Sequence, residues 1–305
     1  MTGDESAERA PDGATAERQY HLNGELVPAS AATVSVDDRG FRYGDGAFET
    51  LRAYGGRIFE WDAHADRLER TCDAIGLEHG LSRTELARRI DETLEANDLE
   101  DAYVRLSITR GVQPGTLTPQ EAVDPTVVVS VKPLPRGGRS GASVWDGPAT
   151  VQTVKRRRIP ESALPVGAKT HNYLNGILAR QELYDADEAL LRDMDGYVAE
   201  GTTSNLFFVD EDGLHTPTTE GSVLPGITRR VVLELAEETG VPVHEGWYRP
   251  DDIREADEVF LTNTTWEIRP VDIVDGIAFE GDDGAVTTLL SRLFDQRVEQ
   301  SCYVP

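Results

Sequence analysis

Residues 133–141 read PLPRGGRSG, and within them the periodicity found on either side stops. Proline removes a backbone donor and fixes φ, and glycine brings no side chain to pack, so no helix or strand runs through such a stretch. It divides the chain into two parts that must each bury their own elements. Residues 20–132 are expected to form a small α/β domain, 133–141 a linker and 142–305 a larger domain. A chain of 305 residues holds two domains comfortably.

In the first part, YHLNGELVPA predicts a strand pair turning at Asn23-Gly24, and DRGFRYGDGAFETLRAYGGRIFEW predicts strands with a tight loop. Ala65, Leu68, Cys72 and Ile75 recur at helical spacing over 62–75, with Asp62 as N-cap and Gly76 as stop. A second helix over 82–96 carries Leu86, Ile90 and Leu94 behind a Ser82/Glu85 capping box. In AYVRLSITRG, Val104, Leu106 and Ile108 share one strand face, and Tyr103, Arg105 and Ser107 the other. PTVVVSVKPL reads as a buried strand.

The second part opens with a helix carrying Leu174, Ile177 and Leu178. Strand pieces follow around a turn at Asp195-Gly196. Pro225-Gly226 precedes a helix with Ile227, Val231 and Leu235 in its stripe, ended by Gly240. DEVFLTNTTWEIRPV is a strand entering a polar loop, and Leu290, Leu293, Phe294 and Val298 mark a last helix over 285–299. Strands and helices mix without a βαβ rhythm, so the expected class is α+β.

The net charge of −25 repels nucleic acid and anionic membranes, which excludes both as partners. The basic residues number 30, and only Lys132, Lys155 and Lys169 are lysine. Acid in excess with arginine in place of lysine suits a protein held in concentrated salt, where charges are screened within about 3 Å at 1 M. An acid-rich protein of an ordinary cytosol is the alternative. No apolar run approaches the ~18 residues of a membrane span. The first 19 residues, MTGDESAERAPDGATAERQ, have neither a basic start nor an apolar stretch, so they read as a solvated, disordered tail and not a secretory signal. The expected compartment is the cytoplasm. Cys72 and Cys302 make no disulfide framework, and isolated histidines such as His64 and His244 lack metal-ligand spacing, so no metal is expected.

In so lysine-poor a chain, a lysine at the mouth of a helix invites a chemical reading. Beside apolar and aromatic neighbours, Lys169 in GAKTHNYLNGILARQE can be desolvated, which frees its amine as a nucleophile for carbonyls. A surface lysine snorkelling along its own stem would look the same. Gly226-Ile227-Thr228 opens a helix whose free N–H groups suit an anion, and TNTTW adds hydroxyls. Arg67 can complete an anion cradle as a bidentate donor, and Glu200, in VAEGTTSN, can hold a proton on a ring nitrogen. An ordinary helix start and ordinary surface pairs explain each of these singly. Together they are the set that pyridoxal phosphate needs: an imine-forming lysine, a carboxylate for the pyridine nitrogen and a phosphate cradle.

The chain resembles the fold-type IV, or class IV, pyridoxal-phosphate enzymes, which include branched-chain aminotransferases, D-amino-acid aminotransferases and 4-amino-4-deoxychorismate lyases. The resemblance spans about residues 20–280. It rests on YGDGAFETLRAY, HADRL, YVRLSITRG, AKTHNYLNGILARQE, VAEGTTSNLFF, LPGITRRVV and LTNTTWEIRPV, in that order. It implies that Lys169 carries the cofactor, that Glu200 faces the pyridine nitrogen and that Tyr173 faces the phenolic oxygen. Arg67, Ile227, Thr228 and Thr264 fall on phosphate positions, and Tyr43, Tyr103 and Arg105 on the substrate side. The implied fold is a small N-terminal α/β domain and a larger barrel-like domain with the cofactor between them, in a homodimer whose subunits complete each other's sites.

Of three members of that family, two fit the remaining residues and the third departs from them. Tyr103-Val104-Arg105 and Asn172-Tyr173 resemble the branched-chain aminotransferases, which implies an L-amino acid and a 2-oxo acid as substrates. DRGFRYGDGAFETLRAY and the short Lys169-to-Asn172 gap resemble the lyases, which implies aminodeoxychorismate. The D-specific enzymes carry an arginine and a histidine beyond TRG; here TRGVQPGTL has Gly115 at the arginine's place.

Overall fold

The structure is a computed structural model and describes residues 17–136, 144–279 and 284–303. The expected tail lies outside the described residues as far as residue 16, and the expected linker does so from residue 137. Residues 17–19 are already tied down: Glu17 accepts from Ser30 N at 2.8 Å, and Arg18 O accepts from Ala29 N at 2.8 Å.

Strand β1 (Gln19–Leu22) turns into β2 (Glu25–Pro28) through Asn23 and Gly24, whose φ values are 50° and 103°. Two successive left-handed residues match the twist of the strands they join. The stretch 39–43, which falls where strands and a tight loop are expected, forms a short helix, α1 (Arg39–Tyr43), because Asp38 caps it by accepting from Gly40 N at 2.7 Å. Then come β3 (Gly46–Tyr54), β4 (Arg57–Ile58), α2 (Trp61–Ala74), α3 (Arg83–Ala96), β5 (Ala102–Thr109) and β6 (Thr126–Pro133). The six strands pair antiparallel throughout in the order β2-β1-β6-β5-β3-β4.

Two helix-start expectations are corrected. Glu60, in the left-handed region at φ 55°, is the N-cap of α2, and Asp62 sits inside its first turn. Ser82 caps α3 by accepting from Glu85 N, but the box is not reciprocal, because Glu85 accepts from Arg88 and Arg89 instead. Both helices cover one face of the sheet. There Ala47, Leu51, Val104, Leu106 and Ile108 pack on Leu68, Cys72, Leu86, Ile90 and Leu94. The opposite face carries Phe48, Thr50 and Arg52 in register with Ser107, Arg105 and Tyr103.

The second part builds a nine-stranded mixed sheet. Its elements are β7 (Ala149–Arg157), α4 (Leu174–Arg180), β8 (Glu188–Arg192), β9 (Val198–Gly201), β10 (Asn205–Asp210), β11 (Gly213–Pro217), α5 (Ile227–Glu238), β12 (Val243–Gly246), α6 (Pro250–Arg254), β13 (Glu258–Asn263), β14 (Glu267–Val274), β15 (Ile277–Ala278) and α7 (Ala285–Val298). The order is β12-β11-β10-β13-β14-β7-β8-β9, with β15 on β14. One face packs on α5 and α7 through Phe207, Phe260, Val231, Leu235, Leu290 and Phe294. The other curls over Val151, Leu190, Leu206, Phe208, Leu261 and Val271. The result is an α+β, two-domain fold with a half-barrel. Among the described residues, no helix is long and apolar enough to cross a membrane.

Two seams join the sheets. Arg52 donates to Pro135 O at 2.7 Å and to Thr265 O at 3.0 Å, and Tyr54 Oη donates to Glu267 at 2.7 Å. Residues 169–171 lie against β3: Phe48 N donates to Lys169 O and His171 N to Gly46 O, both at 3.0 Å. Lys169 is therefore held in an extended segment on β3, between the two sheets, and α4 begins only at Leu174.

Candidate active site

A cleft between the sheets gathers Lys169, Tyr173, Arg67, Arg158, Glu200, Thr202, Ser204, Ile227, Thr228 and Thr264 on its walls. The Lys169 backbone is fixed on both sides, because its N–H donates to Thr71 Oγ1 at 3.0 Å while its carbonyl accepts from Phe48. Its Nζ lies 3.1 Å from Tyr173 Oη and 4.7 Å from the centre of the Phe48 ring. Lys132 and Lys155 are exposed, whereas Lys169 is half-buried.

Glu200, on β9, is buried in the same cleft. Its Oε1 accepts from Arg158 Nε at 2.7 Å and its Oε2 from Leu224 N at 2.9 Å. Burial pushes its pKa above the ordinary carboxylate value, while Arg158, the Leu224 N–H and Lys169 pull the other way. A carboxylate so placed can exchange a proton with a base seated against it.

Ile227 and Thr228 are the first two residues of α5, whose Gly226 N-cap makes no side-chain bond. Their N–H groups have no partner in the preceding turn of helix, and the helix dipole adds positive potential there. Thr264, in the loop after β13, borders the same space. This corner suits a phosphate.

Arg67 reaches the cleft from α2 and is buried. The edge of Arg67 formed by Nε and Nη2 is already engaged within the protein. Its Nε and Nη2 donate to Glu49 Oε1 and Oε2 at 2.8 and 2.6 Å, and Nη1 donates to Pro225 O at 3.1 Å. His64 Nδ1 lies 2.8 Å from the same Glu49. Burial works against the Glu49 charge, but Arg67 and His64 outweigh it and hold the carboxyl at about 2. Burial depresses the pKa of His64 despite Glu49. The Nη1 and Nη2 hydrogens that these bonds leave over are what Arg67 can turn to a ligand.

Tyr43, Tyr103 and Arg105 are not among the residues lining the cleft. Tyr43 ends α1, with Arg39 and Arg42 against its ring at 5.1 and 5.8 Å. Tyr103 holds Lys132 over its ring at 4.7 Å. Arg105 lies 3.8 Å above the Phe48 ring, whose centre is 4.7 Å from Lys169 Nζ, so it approaches the site through that ring. Arg110 of TRG is spent on Asp45, Gly76 O and Ile75 O. At Gly115 a Cβ would come within 2.8 Å of Arg42 Nη2, so the Arg42 guanidinium stands over the position where the D-specific enzymes carry an arginine.

The family model for class IV amino-transferases matches residues 46–274, from β3 through β14. The chain belongs to the class IV aminotransferases. Class IV aminotransferases depend on pyridoxal phosphate, and the cleft offers an amine, a buried carboxylate and an anion corner that fit it. Among its relatives is a Methanocaldococcus jannaschii protein provisionally named branched-chain-amino-acid aminotransferase, 39% identical over 90% of this chain and 95% of its own. A D-alanine aminotransferase of Listeria monocytogenes is 32% identical over 92% and 96%. The aminodeoxychorismate lyase of Bacillus subtilis is 31% identical over 92% and 94%. In structure, the branched-chain aminotransferase of Thermoproteus uzoniensis with norvaline superimposes with a TM-score of 0.86 at 29% identity, covering 95% of this chain and 98% of its own. The branched-chain aminotransferase of Thermobaculum terrenum in its PLP-bound form gives 0.84 at 27% identity, covering 94% and 95%.

Within this class IV site, sequence reasoning missed Arg158, Phe48 and Glu49. Arg158 ends a run of four basic residues, 155–158, in an acidic chain, and that was a usable signal. Glu49 interrupts the apolar register Ala47, Leu51, Ala53 of β3, and an acid on a buried face demands a cation.

Proposed function

We propose that the chain is a pyridoxal-phosphate-dependent aminotransferase that moves an amino group between an L-amino acid of branched-chain type and a 2-oxo acid. The observation that carries this reading is the facing of Lys169 Nζ, with Tyr173 Oη at 3.1 Å, and the Arg158-held Glu200 in one cleft. The substrate class is supported by a 39% identical relative and by the branched-chain enzymes that superimpose on the fold.

In this reading Lys169 would hold the cofactor through its amine, and its Nζ would take the α-proton and return it. Bound pyridoxal phosphate supplies an aldehyde for amine exchange and a ring that accepts electrons from the α-carbon. Glu200 keeps a proton on the ring nitrogen, and Arg158 keeps Glu200 aimed. Tyr173 steadies the amine of Lys169 and faces the phenolic oxygen. Ile227, Thr228 and Thr264 hold the phosphate, with Arg67 Nη1 beside them. Tyr43, Tyr103 and Arg105 belong to the substrate side, where Arg105 meets a carboxylate from above Phe48.

The lyase is the second reading. It is favoured by the 31% identical lyase and by Asn172, three residues after Lys169 and on the cleft wall. The D-specific reading is disfavoured by Gly115 beneath Arg42. The same proposal takes the protein as a cytoplasmic homodimer. Val36, Phe41, Val112 and Leu117 are exposed, and Arg39 ties their two segments together through Thr116 O and Leu117 O. Such a patch suits a partner surface.

The test incubates the cofactor-loaded protein in molar KCl with L-leucine, L-glutamate, D-alanine or aminodeoxychorismate. Conversion of the bound cofactor to its amine form by L-leucine, with release of the 2-oxo acid, supports the aminotransferase. Pyruvate and 4-aminobenzoate from aminodeoxychorismate, with no response to L-leucine, would replace it by the lyase.

A further inference from the structure

Glu188 opens β8 and is fully buried. Its carboxylate is not on the cleft wall, but a turn that is on the wall converges on it. Oε1 accepts from Thr202 N at 3.1 Å, from Thr202 Oγ1, and from its neighbour Ala189 N at 2.9 Å. Oε2 accepts from Ser204 Oγ at 3.1 Å and Thr203 Oγ1 at 3.3 Å. Among the described residues the cation paired with it is Arg180, whose Nη1 lies 3.1 Å from Oε1. Arg180 ends α4 and also reaches Asp187 O at 2.9 Å and Thr202 Oγ1 at 3.4 Å.

Taking a carboxylate out of water is costly unless donors replace the water. Here most of the replacement comes from three consecutive residues, 202–204, so the charge shapes the turn that supplies it. The turn follows directly on Glu200. It also passes so close to Glu188 that a Cβ at Gly201 would stand 2.2 Å from Ser204 Oγ and 3.0 Å from Glu188 Cγ. Arg180 joins the same carboxylate to α4, the helix that starts right after Tyr173. One buried charge thus ties together the wall that carries Glu200 and the wall that carries Lys169 and Tyr173.

We infer that Glu188 is a positioning residue: with Arg180 it fixes the separation of the lysine and carboxylate walls and thereby sets the affinity for the cofactor. This rests on the reading of the cleft as a pyridoxal-phosphate site. The test titrates pyridoxal phosphate into the apo-protein in molar KCl for wild type, Glu188→Gln, Glu188→Ala and Arg180→Met. Alongside, it records unfolding midpoints and the pH at which the bound cofactor's absorbance changes.

Gln keeps one acceptor and can donate to the Thr203 and Ser204 hydroxyls, so it should bind nearest to wild type. Ala strands the donors of the turn and should weaken binding by about 10-fold or more, as expected when charge-assisted hydrogen bonds are lost. Arg180 is exposed, so its variant should fold normally, yet bind several-fold more weakly and shift the absorbance transition. If Glu188→Ala does not fold, Arg180→Met decides. Wild-type affinity and an unmoved transition in Arg180→Met would overturn the proposal while leaving the cofactor site standing. A wild-type chain that takes up no pyridoxal phosphate at Lys169 would overturn both.

Discussion

Arg67 gives the Nε–Nη2 edge of its guanidinium to Glu49, at 2.8 and 2.6 Å, donates from Nη1 to Pro225 O at 3.1 Å, and also lines the cleft. Both residues are buried, Glu49 completely. The arginine therefore has two duties, and its removal should be felt first in the fold. Arg67→Ala leaves Glu49 buried with His64 alone. Breaking a buried pair from one side costs about 3–5 kcal/mol. Urea unfolding of the apo-protein in molar salt should show a loss of that size. Cofactor binding should weaken by only about 10-fold, the low end for one charged hydrogen bond. An unfolding curve that superimposes on wild type would mean that the Glu49 pair carries no weight.

Arg67→Lys should resemble the alanine variant more than wild type in stability. Lysine is a point charge on a flexible stem and cannot meet both oxygens of Glu49 in one plane. The same unfolding experiment checks this, and full rescue by lysine would contradict it.

Glu200→Gln should leave the cofactor bound and slow the amine half-reaction. A neutral amide cannot stabilise a protonated ring nitrogen, and Arg158 is left without its charge partner. The expected loss is on the order of 10²–10⁴ in rate, the range for a positioned acid–base or electrostatic group. Stopped-flow measurement of the half-reaction decides, and an unchanged rate would remove Glu200 from the chemistry.

The buried histidines should make the fold acid-sensitive. Burial, then Arg105, lowers His171 to about 4, and burial also lowers His64 and His21. The fold therefore resists charging them. Their contribution is complete above the ordinary histidine value of about 6.5 and is lost as pH falls from there. For His171 the loss is complete near pH 4 and on the order of 3 kcal/mol at most. Glu49, depressed to about 2, adds a second loss as pH falls below its ordinary 4.5. Glu200 and Glu267 are raised by burial and run the opposite way, so the first limb belongs to the histidines. Unfolding free energies measured between pH 7.5 and 4 should fall, and His171→Asn should flatten that slope. Equal slopes in both proteins would contradict the assignment.

The charge of −25 should make stability rise with salt. The acids exceed the bases by 55 to 30, so repulsion between them is strong in dilute buffer and screened at molar KCl. The unfolding midpoint should climb as KCl goes from 0.1 to about 2 M. A flat or falling response would leave the acidity unexplained by salt.

Much of the fold was legible where periodicity is long. The stripes of α2, α3, α5 and α7 and the two-faced β5 carry many residues each, so a single local signal cannot mislead. Helix α1 was not legible because five residues hold too little period, and only the Asp38 cap marks it. In the site, the scarcity of lysine singled out Lys169 and the glycine-led helix singled out Ile227 and Thr228. The partner of Arg67 was hidden because it depends on which face β3 turns to α2. Tyr103 and Arg105 do share a face, and Arg105 and the lysine both meet the Phe48 ring.

The central claim is that Lys169 is the residue that binds the cofactor. Wild type loaded with pyridoxal phosphate is reduced with borohydride, digested and sequenced by mass spectrometry, beside Lys169→Ala, Lys132→Ala and Lys155→Ala. The account predicts a phosphopyridoxyl group on Lys169 in wild type and in the Lys132 and Lys155 variants. It predicts no modified lysine and no visible absorbance of a lysine-bound cofactor in Lys169→Ala. A group trapped on another lysine, or absorbance that persists in Lys169→Ala, would contradict it.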